Sequence, residues 1–243
     1  MRREYRRLAV LALFAAAVGC FNAPNGGSNG GSSNGPAFAN GDVTANTQGG
    51  HSANGDVRVP DGLKTGDLST VNGSIQVGDD VTLGTAQTVS GNISVGSHDT
   101  AGSLTTNNGS ISLEDGAQVS GTVHAVNGSL TLHSGADVGG SLGNVNGTIN
   151  LNAAHVGGGI TTFNGDITVE GASHVEGGIL VQKPPPGWFQ FSHVPRIVIG
   201  PGSVVTGDLR FDRKVELYVS DKAKIGPVIG ATALRYPGEG PVG

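Results

Sequence analysis

From Val71 to Val181 large apolar residues return about every six positions: Val71, Val77, Leu83, Val89 and Val95, then Leu113, Val119, Val126, Leu132, Val138 and Val145, and on to Val181. Ala101 and Asn107 are the two smaller or polar members of this series. A second apolar set, including Ile75, Val81, Ile93, Ile111, Leu130, Ile149 and Ile167, follows roughly four residues behind the first. Such spacing predicts three short strands per coil, each sending branched side chains such as Val71, Val89 and Val126 inward. The residue after each hexad member is mostly Gly, Asn, Ser or Glu, which suits corners between faces, where Gly and Asn tolerate positive φ. Helix is a poor fit, because interior Gly costs about 1 kcal/mol per site against Ala.

A longer period encloses the shorter one. The phrases Ala53-Asn54-Gly55-Asp56-Val57, Val71-Asn72-Gly73-Ser74-Ile75, Val89-Ser90-Gly91-Asn92-Ile93, Asn107-Asn108-Gly109-Ser110-Ile111, Val126-Asn127-Gly128-Ser129-Leu130, Val145-Asn146-Gly147-Thr148-Ile149 and Phe163-Asn164-Gly165-Asp166-Ile167 recur at a spacing of 18 or 19. A fixed period this short marks a solenoid in which each repeat is one coil stacked on the last. The expectation is an all-β chain folded as a single parallel β-helix, three strands to each 18–19-residue coil. Eight or nine coils at about 4.8 Å would make a rod of roughly 40 Å. Asn54, Asn72, Asn108, Asn127, Asn146 and Asn164, with Ser90 replacing one member, should then form one column. Amides in such a ladder hydrogen-bond to one another or to the turn backbone, a structural role. The N-x-Ser/Thr sequons they open are by-products of that turn chemistry.

One segment breaks the period. Lys183 to Val194 and Pro195 include Pro184, Pro185 and Pro186, followed by Trp188, Phe189 and Phe191. The β pattern resumes at Arg196, so residues 183–195 read as a loop leaving one coil. It is expected to serve either as a lid on the solenoid or as an aromatic contact surface. The solenoid is assigned to 41–230 and a C-terminal tail to 231–243.

Composition sharpens this picture. With 43 Gly, 5% aromatic residues and one Cys, the chain lacks material for a bulky globular core, and a narrow one lined by Val, Ile and Leu is the alternative. The whole chain carries −5. Residues 1–19 hold four Arg and one Glu, so the remainder has 10 basic and 18 acidic residues, a net of −8. Between 65 and 182 there are ten acids and no Lys or Arg, whereas eight basic residues and five acids follow from Lys183 onwards. An acidic shaft with a mildly basic tip disfavours nucleic acid as a partner. The sorting serves solubility, or head-to-tail or envelope contact through the tip.

The first residues have their own pattern. Arg2 to Arg7 form a basic stretch and Leu8 to Val18 an apolar run of eleven residues, too short to span a bilayer comfortably. It ends at Ala17-Val18-Gly19-Cys20, which resembles a bacterial lipobox. Residues 1–19 are therefore expected to be a lipoprotein signal peptide and Cys20 the lipidated residue, which also accounts for an unpaired Cys in an exported chain. Phe21 in place of Asp favours the outer membrane. The Gly/Ser/Asn-rich stretch completing residues 20–40 reads as a flexible tether.

At Val71-Asn72-Gly73-Ser74-Ile75, Val138-Gly139-Gly140-Ser141-Leu142 and Ile199 to Leu209 the chain resembles the bactofilin-like polymer-forming proteins. It is similar also to the adhesin-type group with repeated Asn-Gly-Asp/Ser-Ile phrases. The resemblance covers roughly 50–230 and implies a right-handed three-faced β-helix able to assemble end to end. The export signal, lipobox and aromatic insert depart from the bactofilin pattern and argue against a cytoplasmic cytoskeletal role. The hexad is shared with the left-handed helix of hexapeptide acyltransferases, so handedness comes from the resemblance alone.

These readings converge on a non-enzymatic, lipid-anchored envelope solenoid acting as scaffold, spacer or adhesin-like surface. Its expected partners are the membrane through the anchor, and a second copy or an envelope component. The alternative class is an acyltransferase or another β-helix enzyme acting on envelope polysaccharide, with His155 and His174 as bases stacked one coil apart above Asp137 and Gln118. No cofactor is called for, and two His and one Asp on a flat face make a weak metal site.

Overall fold

The computed structural model describes residues 39–184, 193–238 and 240. Its strands are two to six residues long, and each pairs in parallel with the equivalent strand of neighbouring coils. Parallel pairing between strands 18 or 19 residues apart stacks each coil on its predecessor, as in Ile111↔Leu130 and Ile93↔Ile111. Three faces result, of ten, eleven and seven strands. The first face runs from Gly49–Asn54 through Asp67–Asn72, Leu104–Asn108 and Leu142–Asn146 to Val228–Ile229. The second includes Ile75–Val77, Leu130–Leu132 and Arg196–Ile199, and the third Gln118–Val119, Asp137–Val138, His155–Val156 and His174–Val175. Among the described residues there is no helix, so none is long and apolar enough to cross a membrane.

The rod is longer than the eight or nine coils anticipated. Eleven strands on the second face at about 4.8 Å each span roughly 48 Å. Part of the extra length lies where a tail was expected: Ala233–Tyr236 forms a strand paired with Leu217 to Ser220, and Tyr236 is buried. At the other end Val43 pairs with Val57, and Ala39 bridges to Ser52.

The interior is a single apolar column system. Ile75, Ile93, Ile111, Leu130, Ile149 and Ile167 stack on the second face, and Val119, Val138, Val156 and Val175 on the third, all essentially inaccessible to solvent. The first face departs from expectation. Alternation along Leu68-Ser69-Thr70-Val71 turns Leu68 and Thr70 inward and leaves Val71 half-buried on the outer side, as are Val89 and Val126. Val71, Val89 and Val126 are thus not core residues, whereas Val145 and Val181 further along the same face are buried. Their inward neighbours Ser52, Thr70, Thr88, Thr106, Asn144 and Thr162 form a largely polar internal column, interrupted by Ala125 and followed by Val181.

That column is satisfied by the corner beside it. Thr70 Oγ1 donates to the Gly55 carbonyl at 2.9 Å, Thr88 to Gly73 at 2.9 Å, Thr106 to Gly91 at 3.0 Å, and Asn144 Nδ2 to Gly128 at 2.7 Å. A buried hydroxyl left without a partner would cost about 1–3 kcal/mol, so the inward Thr and the corner carbonyl are a matched pair.

The Asn-Gly glycines are required chiefly by close approach. A Cβ at Gly73, Gly91 or Gly109 would lie 2.0, 1.9 and 1.9 Å from the carbonyl oxygen of the glycine one coil below. Positive φ occurs in this column at Gly128 and Gly147, but not at those three. Left-handed backbone is concentrated at the corner between the second and third faces, at Gly62, Asp80, His98, Gly116, Gly135, Ala153, Ala172 and Gly202.

Candidate functional site

Five regions carry candidate chemistry. Cys20 lies outside the described residues, and so do Trp188, Phe189 and Phe191. The other regions are the Asn column, the histidines of the third face and a buried carboxyl.

In the Asn column, Asn54 Nδ2 donates to Asn40 Oδ1 at 2.7 Å and Asn72 Nδ2 to Asn54 Oδ1 at 2.9 Å. Asn127 Nδ2 donates to Asn108 Oδ1 at 2.9 Å, and Asn146 Nδ2 to Asn127 Oδ1 at 3.0 Å. Ser90, with a shorter side chain, separates the two runs. Asn164 stands apart: its Oδ1 accepts from Arg213 at 3.3 Å. Arg213 also donates to the Phe163 carbonyl at 2.8 Å and the His193 carbonyl at 2.6 Å. Asp166 Oδ1 takes the Arg196 N–H at 2.8 Å and lies 2.7 Å from His193 Nε2. Arg213 and Asp166 thus pin the downstream stem of the insert to the corner where the Asn column ends. Sequence spacing carries no signal for a contact between residues fifty apart.

On the third face Gln118, Asp137, His155 and His174 occupy one column. The His155 and His174 rings stack with centroids 5.8 Å apart. His155 Nδ1 lies 2.5 Å from Asp137 Oδ1, and its Nε2 lies 3.3 Å from Glu176 Oε1. The imidazole therefore bridges carboxylates on the coils below and above, and the hydrogen bond to Asp137 is the main reason its pKa is raised. With both nitrogens facing carboxylates, His155 is better arranged as a held cation than as a base presented to a substrate. Among the described residues no group of three or more His, Cys, Asp or Glu is disposed to hold a metal ion.

This geometry has a measurable consequence. The His155 titration followed by NMR should have its midpoint above the ordinary histidine value, and Asp137→Asn should bring it down. A raised folded-state pKa means that the contribution to stability is complete below the unfolded value, about 6.5, and is lost as pH rises through the folded value. Because the pair is substantially exposed, the contribution is small. A midpoint unchanged by Asp137→Asn would mean that the carboxylate does not hold the ring.

Asp99 was not singled out from sequence. It is fully buried at the corner between the second and third faces. Register places it in the column occupied by Val81 below and Ala117, Ala136 and Ala154 above. Its Oδ1 accepts the Val81 N–H at 2.7 Å, whereas Oδ2 has no partner among the described residues. Burial pushes its pKa up to about 6, against the opposing hydrogen bonds from Val81 and Gly96, and the nearby Asp79 and Asp80 push it further the same way. A charged acid in a column otherwise made of Val81, Ala117, Ala136, Ala154 and the neutral Ser173 and Ser203 is the signal that could have found it, once the register was known.

The described surface thus offers an Asn ladder and, at His155, an imidazole held between two carboxylates. Compared with protein family models, curated proteins and solved structures, the chain finds no match.

Proposed function

We propose that the chain is a non-enzymatic structural element of a bacterial cell envelope, a β-solenoid held to a membrane by lipid on Cys20 and acting as scaffold, spacer or adhesin-like surface. The observation that carries this reading is the continuous stack of coils, whose corner Asn side chains bond to one another along two runs and whose inward side chains form the core. An acyltransferase or hydrolase would need a base free to meet its substrate. His155 instead lies between Asp137 and Glu176, which favours the structural reading.

The resemblance to bactofilin-like and adhesin-type repeats supports the same class. The acidic shaft and the basic residues from Lys183 onwards add a means of contact with a second copy or an envelope component. The lipobox at residues 17–20 supplies the address, with Phe21 favouring the outer membrane. In the producing cell, the full chain should incorporate radiolabelled palmitate and partition with membranes. Cys20→Ser should remove the label and release soluble protein or leave unprocessed precursor. Label retained by the variant would overturn the anchoring. Turnover of an acyl donor or an envelope polysaccharide by the purified protein, lost in His155→Gln, would overturn the structural reading.

A further inference from the structure

Asn-Gly sequences are chemically fragile because a glycine nitrogen meets little steric hindrance when it attacks the preceding side-chain amide. The stack protects these junctions by occupying that nitrogen. Gly55 N–H donates to the Asn72 carbonyl at 3.0 Å, Gly73 to Ser90 at 3.0 Å, Gly109 to Asn127 at 2.9 Å and Gly128 to Asn146 at 3.0 Å. Gly165 N–H is held by Thr162 Oγ1 at 2.9 Å. Among the described residues the protection fails at two junctions, Asn40-Gly41 in the opening coil and Asn146-Gly147 within the stack. Continued upward, the pattern would pair Gly147 N–H with the Asn164 carbonyl. There the corner is drawn into a different set of bonds: Asn164 N–H donates to the Val145 carbonyl at 2.9 Å, and Arg213 takes the Phe163 carbonyl and Asn164 Oδ1. Gly147 N–H is left without an acceptor among the described residues. Asn146 is also the top rung of its run: it donates to Asn127 at 3.0 Å, and among the described residues its Oδ1 accepts from none above.

We propose that Asn146 is a site of spontaneous covalent modification, a deamidation junction created where the Arg213 anchor interrupts the stacked corners. The Gly147 nitrogen, having lost its proton to solvent base, attacks Asn146 Cγ. A Cγ–N bond forms, the Cγ–Nδ2 bond breaks, and Nδ2 leaves as ammonia after taking a proton from solvent. The resulting five-membered succinimide is opened by one water, at the side-chain carbonyl to give aspartate or at the main-chain carbonyl to give isoaspartate. Net, one water is consumed and one ammonia released, without change of oxidation state. For Asn146 only its own amide bond to Asn127 has to open first. At Asn72, Asn108 and Asn127 the glycine bond to the next coil must open as well.

The product would change the column. A carboxylate at this position cannot donate to Asn127 Oδ1, so the top rung is lost and a negative charge is added beside the anchor of the insert. The isoaspartate form also adds a main-chain atom at a corner where Gly147 already packs against Gly128. Gly41, in the opening coil, likewise has no acceptor among the described residues, so Asn40 is followed separately.

The test is ageing of the purified full chain in mildly alkaline buffer, followed by site-resolved mass spectrometry. Trypsin is unsuitable because 65–182 contains no Lys or Arg, so thermolysin is used. Asn146 should gain about one dalton and yield isoaspartate, roughly fivefold faster than Asn72, Asn108 and Asn127, the effect of one net backbone hydrogen bond. Asn146→Ser, which places there the residue Ser90 already supplies in this column, should keep the circular dichroism spectrum and abolish the change in that peptide. Equal rates at Asn146, Asn127 and Asn108, or no modification of Asn146 while those sites react, would overturn the proposal.

Discussion

Gly109→Val is expected to be among the most damaging single substitutions in the shaft, costing about 3 kcal/mol or more. The new Cβ would lie 1.9 Å from the Gly91 carbonyl oxygen and 2.5 Å from its carbon. The obstacle is backbone that is itself fixed: the Gly91 carbonyl accepts Thr106 Oγ1 at 3.0 Å, and the Gly91 N–H donates to Asn108 at 3.0 Å. Neither coil can retreat without losing ladder bonds to the coil beyond. Gly109 does not have positive φ, so strain in the left-handed region is not involved. Gly62→Ala supplies the contrast. Gly62 has φ +67 and open space around its Cβ position, so the cost there should be only about 1 kcal/mol. Four non-glycine residues, Asp80, His98, Ala153 and Ala172, already adopt such φ at this corner. Thermal melting of both variants separates the two causes, and equal losses would mean that close approach is not what demands glycine in the Asn-Gly column.

Asp99→Asn is expected to act in the opposite direction, raising stability at neutral and alkaline pH. A carboxyl whose pKa is raised from 3.8 to about 6 on folding binds protons more tightly in the native state. Its favourable contribution is therefore complete below the unfolded value and is lost as pH rises through the folded one, leaving a buried anion with an unpartnered oxygen above pH 6. A shift of this size corresponds to about 2–3 kcal/mol, and the amide, which keeps an acceptor for the Val81 N–H but adds an unpartnered donor, should recover about half of it. The variant should melt higher than the parent at pH 8 and differ little from it near pH 4. A parallel pair of melting curves across that range would show that Asp99 does not titrate between the folded and unfolded states. Asp79 and Asp80 bear on the same group, and their replacement by Asn should move the parent's transition towards lower pH.

The two substitutions mark how much was legible beforehand. The 18–19-residue recurrence settled stacking, because only a coil of constant length returns its Asn and Gly to one edge each time. The second and third faces were also readable, since Ile75, Ile93 and Ile111, or Val119 and Val138, repeat with nothing polar interposed. On the first face the hexad misled. Val71 and Thr70 are adjacent, and sequence favours burial of the valine by its transfer free energy alone. The structure buries the threonine, because its hydroxyl meets the corner carbonyl of the previous coil and the strand's two-residue alternation then turns Val71 outward. Register alone shows that acceptor.

The same distinction holds at the candidate sites. Asp137, His155 and His174 shared a column by counting, but the approach of Glu176 to His155 depends on how side chains lean across coils. Asp99 is an ordinary acid in the sequence and a buried one in the stack, where its burial is set by the Val81 and Ala117 coils on either side. Arg213 has no local reason to touch Phe163, Asn164 or the stem of the insert. By itself the sequence determined the coil, the period, the order of faces and the residue types at the corners, since these follow from local chemistry repeated at fixed intervals. The tertiary structure decided which polar groups are partnered, which glycines lie against backbone and where the ladder breaks. These depend on the distance between one coil and the next, and no single repeat contains that distance.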